Sequence, residues 1–584
     1  MREYNSVSRA SPVDIYFLPQ EEHDCLNSRS RTQPPGSSGR RRRLRGRNAP
    51  TRRGLTSSTS NPPFPGRLPI AGTAKLSALP LPPKAMPMLH RVRPRTSGGE
   101  DRLSVLHDDL ILLIVSRLDT RTVLSMAILA RRWVRIPREL SVLDFRVSDI
   151  LPPEYERTVA LRQRNLPRDA TLAGTLDGLK ARCEIDTIRS FTNGITSFLE
   201  ADSGHDRRVK TLRLEFFRTY NSICVDRLIN VAVGAWGVED LEVVVRQSSG
   251  YDHTQTYSFP HNCLNLQSCL RSLTLGKYCA LPPLHSYNTL TKLILRDMSA
   301  STPVAMYERV FKDCTGLQVL HLTFCCCAHT TLVVDAPCSH IRELVLEECS
   351  FFVIELRDLP MLVRLACCLT HTSKILFGSV PSLMDTNLSF SLEDDSKVAA
   401  RWIDEFDSFL GMSPTMTNLV IRFIGRRTWI RPSHLEKKLL HLKKLLVADV
   451  PSNWDISWTR GLLMASTFLE VLHIHVPHSE TEPDCLRGMN WSKSGNELRH
   501  HHLKELVVIG YTQRNIWLLK YVVRVCTSLQ RIVLLKDGHV RYIGLWDWRM
   551  VGQQTCPWSD DEQMVVRRMM KIFGLRPLPE LILG

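Results

Sequence analysis

A six-residue pattern, Φ-x-x-Leu-x-Φ with Φ apolar, recurs along the C-terminal two thirds of the chain. It runs as VKTLRL from Val209, VEDLEV from Val238, LRSLTL from Leu270, LTKLIL from Leu290, LQVLHL from Leu317 and IRELVL from Ile341. LVRLAC from Leu362, MTNLVI from Met416, LKKLLV from Leu442, LEVLHI from Leu469, LKELVV from Leu503 and LQRIVL from Leu529 continue it. Start-to-start spacings lie between 20 and 34 residues, except for one of 54 that holds a degraded unit, TNLSFSL, around Leu388. The fourth and sixth positions of each unit face one side of a strand. Stretches between units carry helical spacing, as in WLLKYVVRVCTS from Trp517. No unit covers its apolar side alone, so the units must stack. Thirteen parallel strands over 209–535 are predicted, with helices or loops behind them.

Two further patterns precede the repeats. In 101–145, Asp108 and Asp109 open a helix with Leu110, Leu113, Ile114 and Leu118 on one stripe. Thr120 begins a second helix with Val123, Leu124, Ala127 and Ile128, and a third carries Arg131, Arg132, Trp133 and Ile136 up to Pro137. Three helices this short cannot enclose a core, so apolar faces are left for a partner or for the rest of the chain. In 146–208, a linker leads to IRSFTNGITSFLEA, which puts Phe191, Ile195, Phe198 and Leu199 on one face. That helix is expected to cap the open end of the array, the alternative being a partner-docking helix.

Charge sets the N-terminus apart. Residues 1–100 hold 18 Lys and Arg against 6 Asp and Glu, a net +12 of the formal +17, and 14 of the 33 prolines. Such a segment cannot bury enough surface to fold, so a disordered tail is predicted. Its cluster Arg40, Arg41, Arg42, Arg43, Arg45 and Arg47 reads as a nuclear-import signal, a weak phosphate-binding arm or a solvated charge run. No aromatic residue interleaves with the arginines to stack on bases, so nucleic acid is not the expected partner. The chain has no secretory leader and no apolar run of about 18 residues, so neither export nor a membrane is expected. Seventeen cysteines in 584 residues, without a paired framework, read as reduced thiols of the nucleus, the cytoplasm or both.

The head at 101–145 resembles an F-box, the module by which substrate receptors join cullin–RING ubiquitin ligases. The resemblance rests on Leu106 before the acidic pair, the ILLIVSRL helix, the Thr120–Arg121 turn and the closing AILARRWVRI. It implies that Leu106, His107, Leu110, Ile114, Leu118, Leu124, Arg132 and Trp133 meet a SKP-type adaptor. One departure is that the family usually has Pro where this chain has His107. The repeats resemble a leucine-rich-repeat solenoid with a parallel sheet on its concave face. Head and repeats together resemble plant F-box/leucine-rich-repeat proteins with an FBD-like C-terminal region. DAPCSHIRELVLEECSFFVIELRDLPML, FGSVPSL and LLKDGHVRYIGLWDWRMVGQQTCPWSDDE carry that likeness, the last placing the FBD-like segment at 536–584. The implied function is an SCF-type substrate receptor whose repeats hold a protein target for ubiquitination. The alternative is an interaction scaffold without ligase activity.

Chemical motifs change this little. Cys325, Cys326, Cys327 and His329 stand before Cys338 and His340, yet no C-x-x-C pair occurs and adjacent strand residues face opposite ways. Core thiols are expected there and no metal site. Gly-x-Ser-x-Gly, P-loop, dinucleotide and His-Glu-x-x-His motifs are absent. The run His500, His501, His502 reads as a turn at a repeat start, and WDISW and GLWDW as packing aromatics or partner anchors. No catalytic residue and no cofactor is expected.

Overall fold

The computed structural model describes residues 106–118, 120, 122–123, 139–164, 170–201 and most of 207–584. Within the last range it omits 219–221, 250–255, 261–267, 283–288, 300, 326, 328–329, 370–373, 392–414, 425–438, 451–458, 478–498, 513–514, 554–556 and 573–578. The tail at 1–100, with its arginine cluster, and the WDISW segment lie outside the described residues.

Every repeat unit forms a strand of one parallel sheet of fifteen strands. The first eight in order across it are β1 (Val142–Arg146), β2 (Thr211–Phe217), β3 (Asp240–Arg246), β5 (Ser272–Gly276), β7 (Lys292–Arg296), β8 (Val319–Thr323), β10 (Glu343–Glu347) and β12 (Arg364–Leu369). Then come β14 (Asp385–Ser391), β15 (Asn418–Ile424), β16 (Lys444–Ala448), β17 (Val471–His475), β18 (Glu505–Ile509), β19 (Arg531–Leu535) and β22 (Glu580–Leu583). The register stacks the fourth position of each unit into one ladder, from Leu212 on Leu241 to Leu506 on Ile532. These side chains are fully buried and belong to one continuous core, each adding about 2 kcal/mol by burial. In the degraded unit Thr386 takes the ladder position, and its buried hydroxyl has no hydrogen-bond partner.

Two strands exceed the thirteen predicted. β1 lies in LSVLDF from Leu140 and β22 in LPELIL from Leu578, both of which carry the repeat pattern. Spacings of 69 residues before Val209 and 49 after Leu529 separate them from their neighbours and hide the relation. The head and the array therefore share a boundary: the Asp144 amide of β1 donates to Thr120 Oγ1 at 2.8 Å.

What lies behind the sheet follows repeat length. Helices α4 (Ile223–Gly234), α5 (Val304–Asp313), α6 (Thr459–Ala465) and α7 (Ile516–Val525) back units of 26 to 29 residues. The short units that begin with β8 and β10, of 24 and 21 residues, have strands there instead, β9 (Thr331–Asp335) and β11 (Val353–Asp358), and with β13 (Lys374–Ser379), behind β12, these form a second parallel sheet. Too few residues remain in them for a helical turn and two connections. Nearer the N-terminus a short parallel bridge pairs β4 (Tyr257–Ser258) with β6 (Cys279–Ala280), although the unit that holds β4 is 32 residues long. Helices or loops alone were expected, so strands are the correction.

A left-handed residue follows many front strands: Asp297 (φ 51°), Phe324 (φ 53°), Glu348 (φ 50°), Asp449 (φ 59°) and Gly510 (φ 76°). At three of these the amide donates to a carbonyl at the end of the next strand: Asp297 to Thr323 at 2.7 Å, Phe324 to Glu347 at 2.8 Å and Glu348 to Cys368 at 2.7 Å. The chain then turns under the sheet, and Cys325 and Cys349 fill the space just behind. A Cβ on Gly510 would strike the Val476 carbonyl oxygen, so glycine is required at that turn.

The capping helix is far longer than its amphipathic segment. α3 spans Ala170–Ala201, 32 residues, and packs against α2 (Pro153–Arg164), α4 and β2. Phe191, Ile195 and Leu199 are buried as expected. Glu184 is wholly buried and fixes α3 in place: it accepts from Tyr155 Oη (2.9 Å), Ser248 Oγ (3.0 Å) and the Ser249 amide (2.7 Å). Burial first, and then Glu184, push the Tyr155 phenol far above its ordinary pKa.

Candidate functional site

The front of the sheet is the array's broad exposed face, and its two halves differ. From β1 to β14 it is a ladder of ion pairs. Arg213 bridges Asp144 (3.9 Å) and Glu242 (3.5 Å), Arg296 reaches Glu242 at 3.6 Å, and Arg246 meets Glu215 at 2.9 Å. Farther on, His321 Nε2 lies 2.8 Å from Glu343, and Arg364 bridges Glu343 (3.7 Å) and Asp385 (3.3 Å). The hydrogen bond from His321 outweighs burial and holds the Glu343 carboxyl below its usual range. These groups come from alternate positions of adjacent strands, or of strands one apart for Arg296 with Glu242, where opposite charges meet across the sheet.

From β15 to β22 the same face is apolar and covered. Residues 538–552 fold into an antiparallel hairpin, β20 (Gly538–Ile543) and β21 (Asp547–Gly552), laid on it. Trp548 packs against Val420, Leu446 and Ala448 with Val540 and Tyr542 beside it, and Met550 reaches Val507, Ile509, Val533 and Leu535. Polar contacts set the position. Trp548 Nε1 donates to His473 Nδ1 at 2.7 Å, so His473 must present Nε2–H to Glu505 Oε1, also at 2.7 Å. Asn387 and Asn418 donate to the carbonyls of Leu545 and Trp546 at the hairpin tip, both at 2.7 Å. The Arg422 guanidinium stacks 4.6 Å from the Tyr542 ring while pairing with Asp449 at 3.1 Å. Burial would raise Asp449, but hydrogen bonds from His475 and Arg422 win and keep its carboxyl below the usual range. After the hairpin, α8 (Asp560–Ile572) leads to β22, and Trp558 stacks on Tyr511.

Residues 199–555, more than half of the chain, match a described family: At1g61320/AtMIF1, LRR domain. The chain belongs to this leucine-rich-repeat family. No curated protein matches it. Within the family's repeat architecture the hairpin is the feature that decides which part of the front face is open. GLWDW thus packs as one of its two sequence readings held. The hairpin's role over the sheet was not legible, because no pattern links Trp548 to a strand 75 residues away.

The F-box-like positions divide sharply. α1 (Asp108–Val115) buries Ile111 and Val115 in the array's core, with Leu106 and Leu112 packed against them. Leu110 (49% exposed), Leu113 (56%), Ile114 (42%) and Leu118 (39%) face solvent. His107 takes the N-cap position, exposed, with Nδ1 3.2 Å from Asp109. Leu124, Arg132 and Trp133 lie outside the described residues. Sequence spacing alone singled out the exposed stripe but not Ile111 and Val115, which are what tie the helix down.

The remaining candidates serve the fold. The Cys325 and Cys349 thiols are buried and point at the Leu295 and Leu322 carbonyls, at 3.6 and 3.2 Å. His340 Nδ1 lies 2.8 Å from the Thr315 carbonyl, and among the described residues no three His, Cys, Asp or Glu side chains gather to hold a metal. Cys326 and His329 are outside the described residues. In the histidine run, His500 Nε2 meets the Ser466 carbonyl at 2.9 Å, His501 meets Thr527, and His502 lies against Phe468. Burial pushes the His500 imidazole below its ordinary pKa. No helix among the described residues is long and apolar enough to cross a membrane.

Proposed function

We propose that the chain is the substrate-receiving subunit of an SCF-type ubiquitin ligase. Its residues 104–137 dock on the SKP-type adaptor, and its repeat array holds a protein target. The observation that carries this reading is the division of α1. One face is spent on the chain's own core, and the other leaves Leu110, Leu113 and Ile114 in solvent, with Leu118 exposed in the turn that follows. Such a patch marks a protein contact more often than a free surface. Leu110, Ile114 and Leu118 are the residues that the F-box resemblance assigns to the adaptor, with Leu124, Arg132 and Trp133 completing the surface. An interface on the order of 1,600 Å² is expected. The recruited conjugating enzyme performs the chemistry, and this chain supplies proximity at an effective concentration of about mM. The protein works in the nucleus, the cytoplasm or both, with Arg40 to Arg47 as the import signal.

The test is adaptor binding by the full chain against its Leu110→Asp form. Because Leu110 is already exposed, the variant should unfold at the same temperature and yet lose binding. Failure of the parent chain to bind any SKP-type adaptor sinks the reading.

His107 favours a second reading, a repeat scaffold without ligase activity. Its backbone, at φ −66° and ψ 149°, already has the geometry of proline. If the departure from Pro is what disables docking, His107→Pro should restore adaptor binding without disturbing α1.

A further inference from the structure

The hairpin that covers half of the front face has an outer surface of its own. On β20, His539, Arg541 and Ile543 are exposed and alternate with the inward Val540 and Tyr542; on β21, Asp547 and Arg549 alternate with Trp548 and Met550. The register sets Arg541 directly opposite Arg549. Facing side chains in an antiparallel pair stand about 5 Å apart at Cβ, and like charges there destabilise the ribbon. Among the described residues neither arginine has a carboxylate within 4.0 Å. The array treats its other front-face arginines differently: Arg213, Arg246, Arg296, Arg364, Arg422 and Arg531 each pair with an Asp or Glu. An ordered two-stranded ribbon, pinned by Trp548 from below, thus sets two arginines at facing positions, neither with a carboxylate partner among the described residues. Paired guanidinium forks match carboxylates in bidentate geometry.

We propose that the outward face of this hairpin is a docking site for an Asp- or Glu-rich segment of a partner protein, gripped by Arg541 and Arg549 with His539 and Ile543 flanking. The site goes beyond adaptor docking and does not depend on it. The partner's carboxylates relieve the repulsion that the free ribbon carries, so binding and hairpin order are coupled.

Hydrogen exchange on the full chain tests this locally, so that attraction of an acidic probe to the arginine-rich tail does not enter the readout. The probe is a hexaglutamate peptide at about ten times its dissociation constant. It should slow exchange across 538–552 by about tenfold, the linkage expected for ligand bound to the ordered form only. The R541Q/R549Q chain should lose that slowing, and R567Q/R568Q on α8, equal in charge change, should keep it. Without peptide the R541Q/R549Q hairpin should exchange as slowly as the parent's or more slowly, because a like-charge pair is gone. Absence of slowing in the parent chain overturns the proposal, as does slowing that survives R541Q/R549Q. Faster exchange of the variant without peptide also overturns it, since the arginines would then be structural. A hexalysine peptide that protects the hairpin equally would do so too.

Discussion

The two halves of the front face solve one problem in opposite ways. A parallel sheet edge-on to solvent must do something with every second side chain. From β1 to β14 many of those side chains are charged and pair with one another across strands, with Ile294, Val345 and Ala366 buried among them. From β15 to β22 they are Val420, Leu446, Ala448, Val507, Ile509 and Val533, and the chain folds its own hairpin over them. The open half is therefore a platform for others, whereas the covered half has internalised its first partner. The difference shows that an array's front face is not one binding surface merely because it is one sheet.

Substitutions should separate the halves by size of effect. The largest is expected from the two anchors. Glu184→Ala strands two buried donors, the Tyr155 and Ser248 hydroxyls, behind the open half and should cost about 2–4 kcal/mol, read by denaturant unfolding. Trp548→Ala should cost about 3 kcal/mol and release hydrogen-exchange protection in 538–552 while 209–300 stays protected. If protection were lost in both regions together, the halves would be one cooperative unit and the contrast would be wrong. Next is pH. Burial depresses the His500 pKa, so the folded state favours the neutral imidazole. Its contribution is full above the unfolded value of about 6.5 and declines as pH falls below it. The melting temperature should drop between pH 7.5 and 5.5 by more in the parent than in His500→Gln. At the junction of the halves, Thr386→Val should stabilise by about 1 kcal/mol, because it removes a buried hydroxyl that has no partner. The smallest effect belongs to the open ladder: Arg213→Ala should shift stability by under about 0.5 kcal/mol, the guanidinium side chain being 45% exposed.

Much of this architecture is written in short range. The motif ladder predicts thirteen strands because each needs only six residues to be recognised. β1 and β22 carry the same six and escape notice only because long insertions separate them. The exposed stripe on α1 is legible from helical spacing, but which stripe is inner depends on how Ile111 and Val115 join the array's core, a long-range fact. The hairpin over the sheet, the Glu184 clip and the unpaired arginines are invisible for the same reason. Each joins residues that nothing in local pattern connects: 29 to 65 positions for Glu184 and 158 for Asn387 with Leu545.

The left-handed turns that follow the strands carry a practical consequence. At Gly510 the chain uses the residue that geometry demands, yet at Phe324 and Glu348 it bends side-chain-bearing residues into the same conformation. Each such bend holds on the order of 1 kcal/mol of conformational tension. Replacing either with glycine would let it go, so the scaffold contains latent robustness that an engineer could release one repeat at a time without touching either half of the platform.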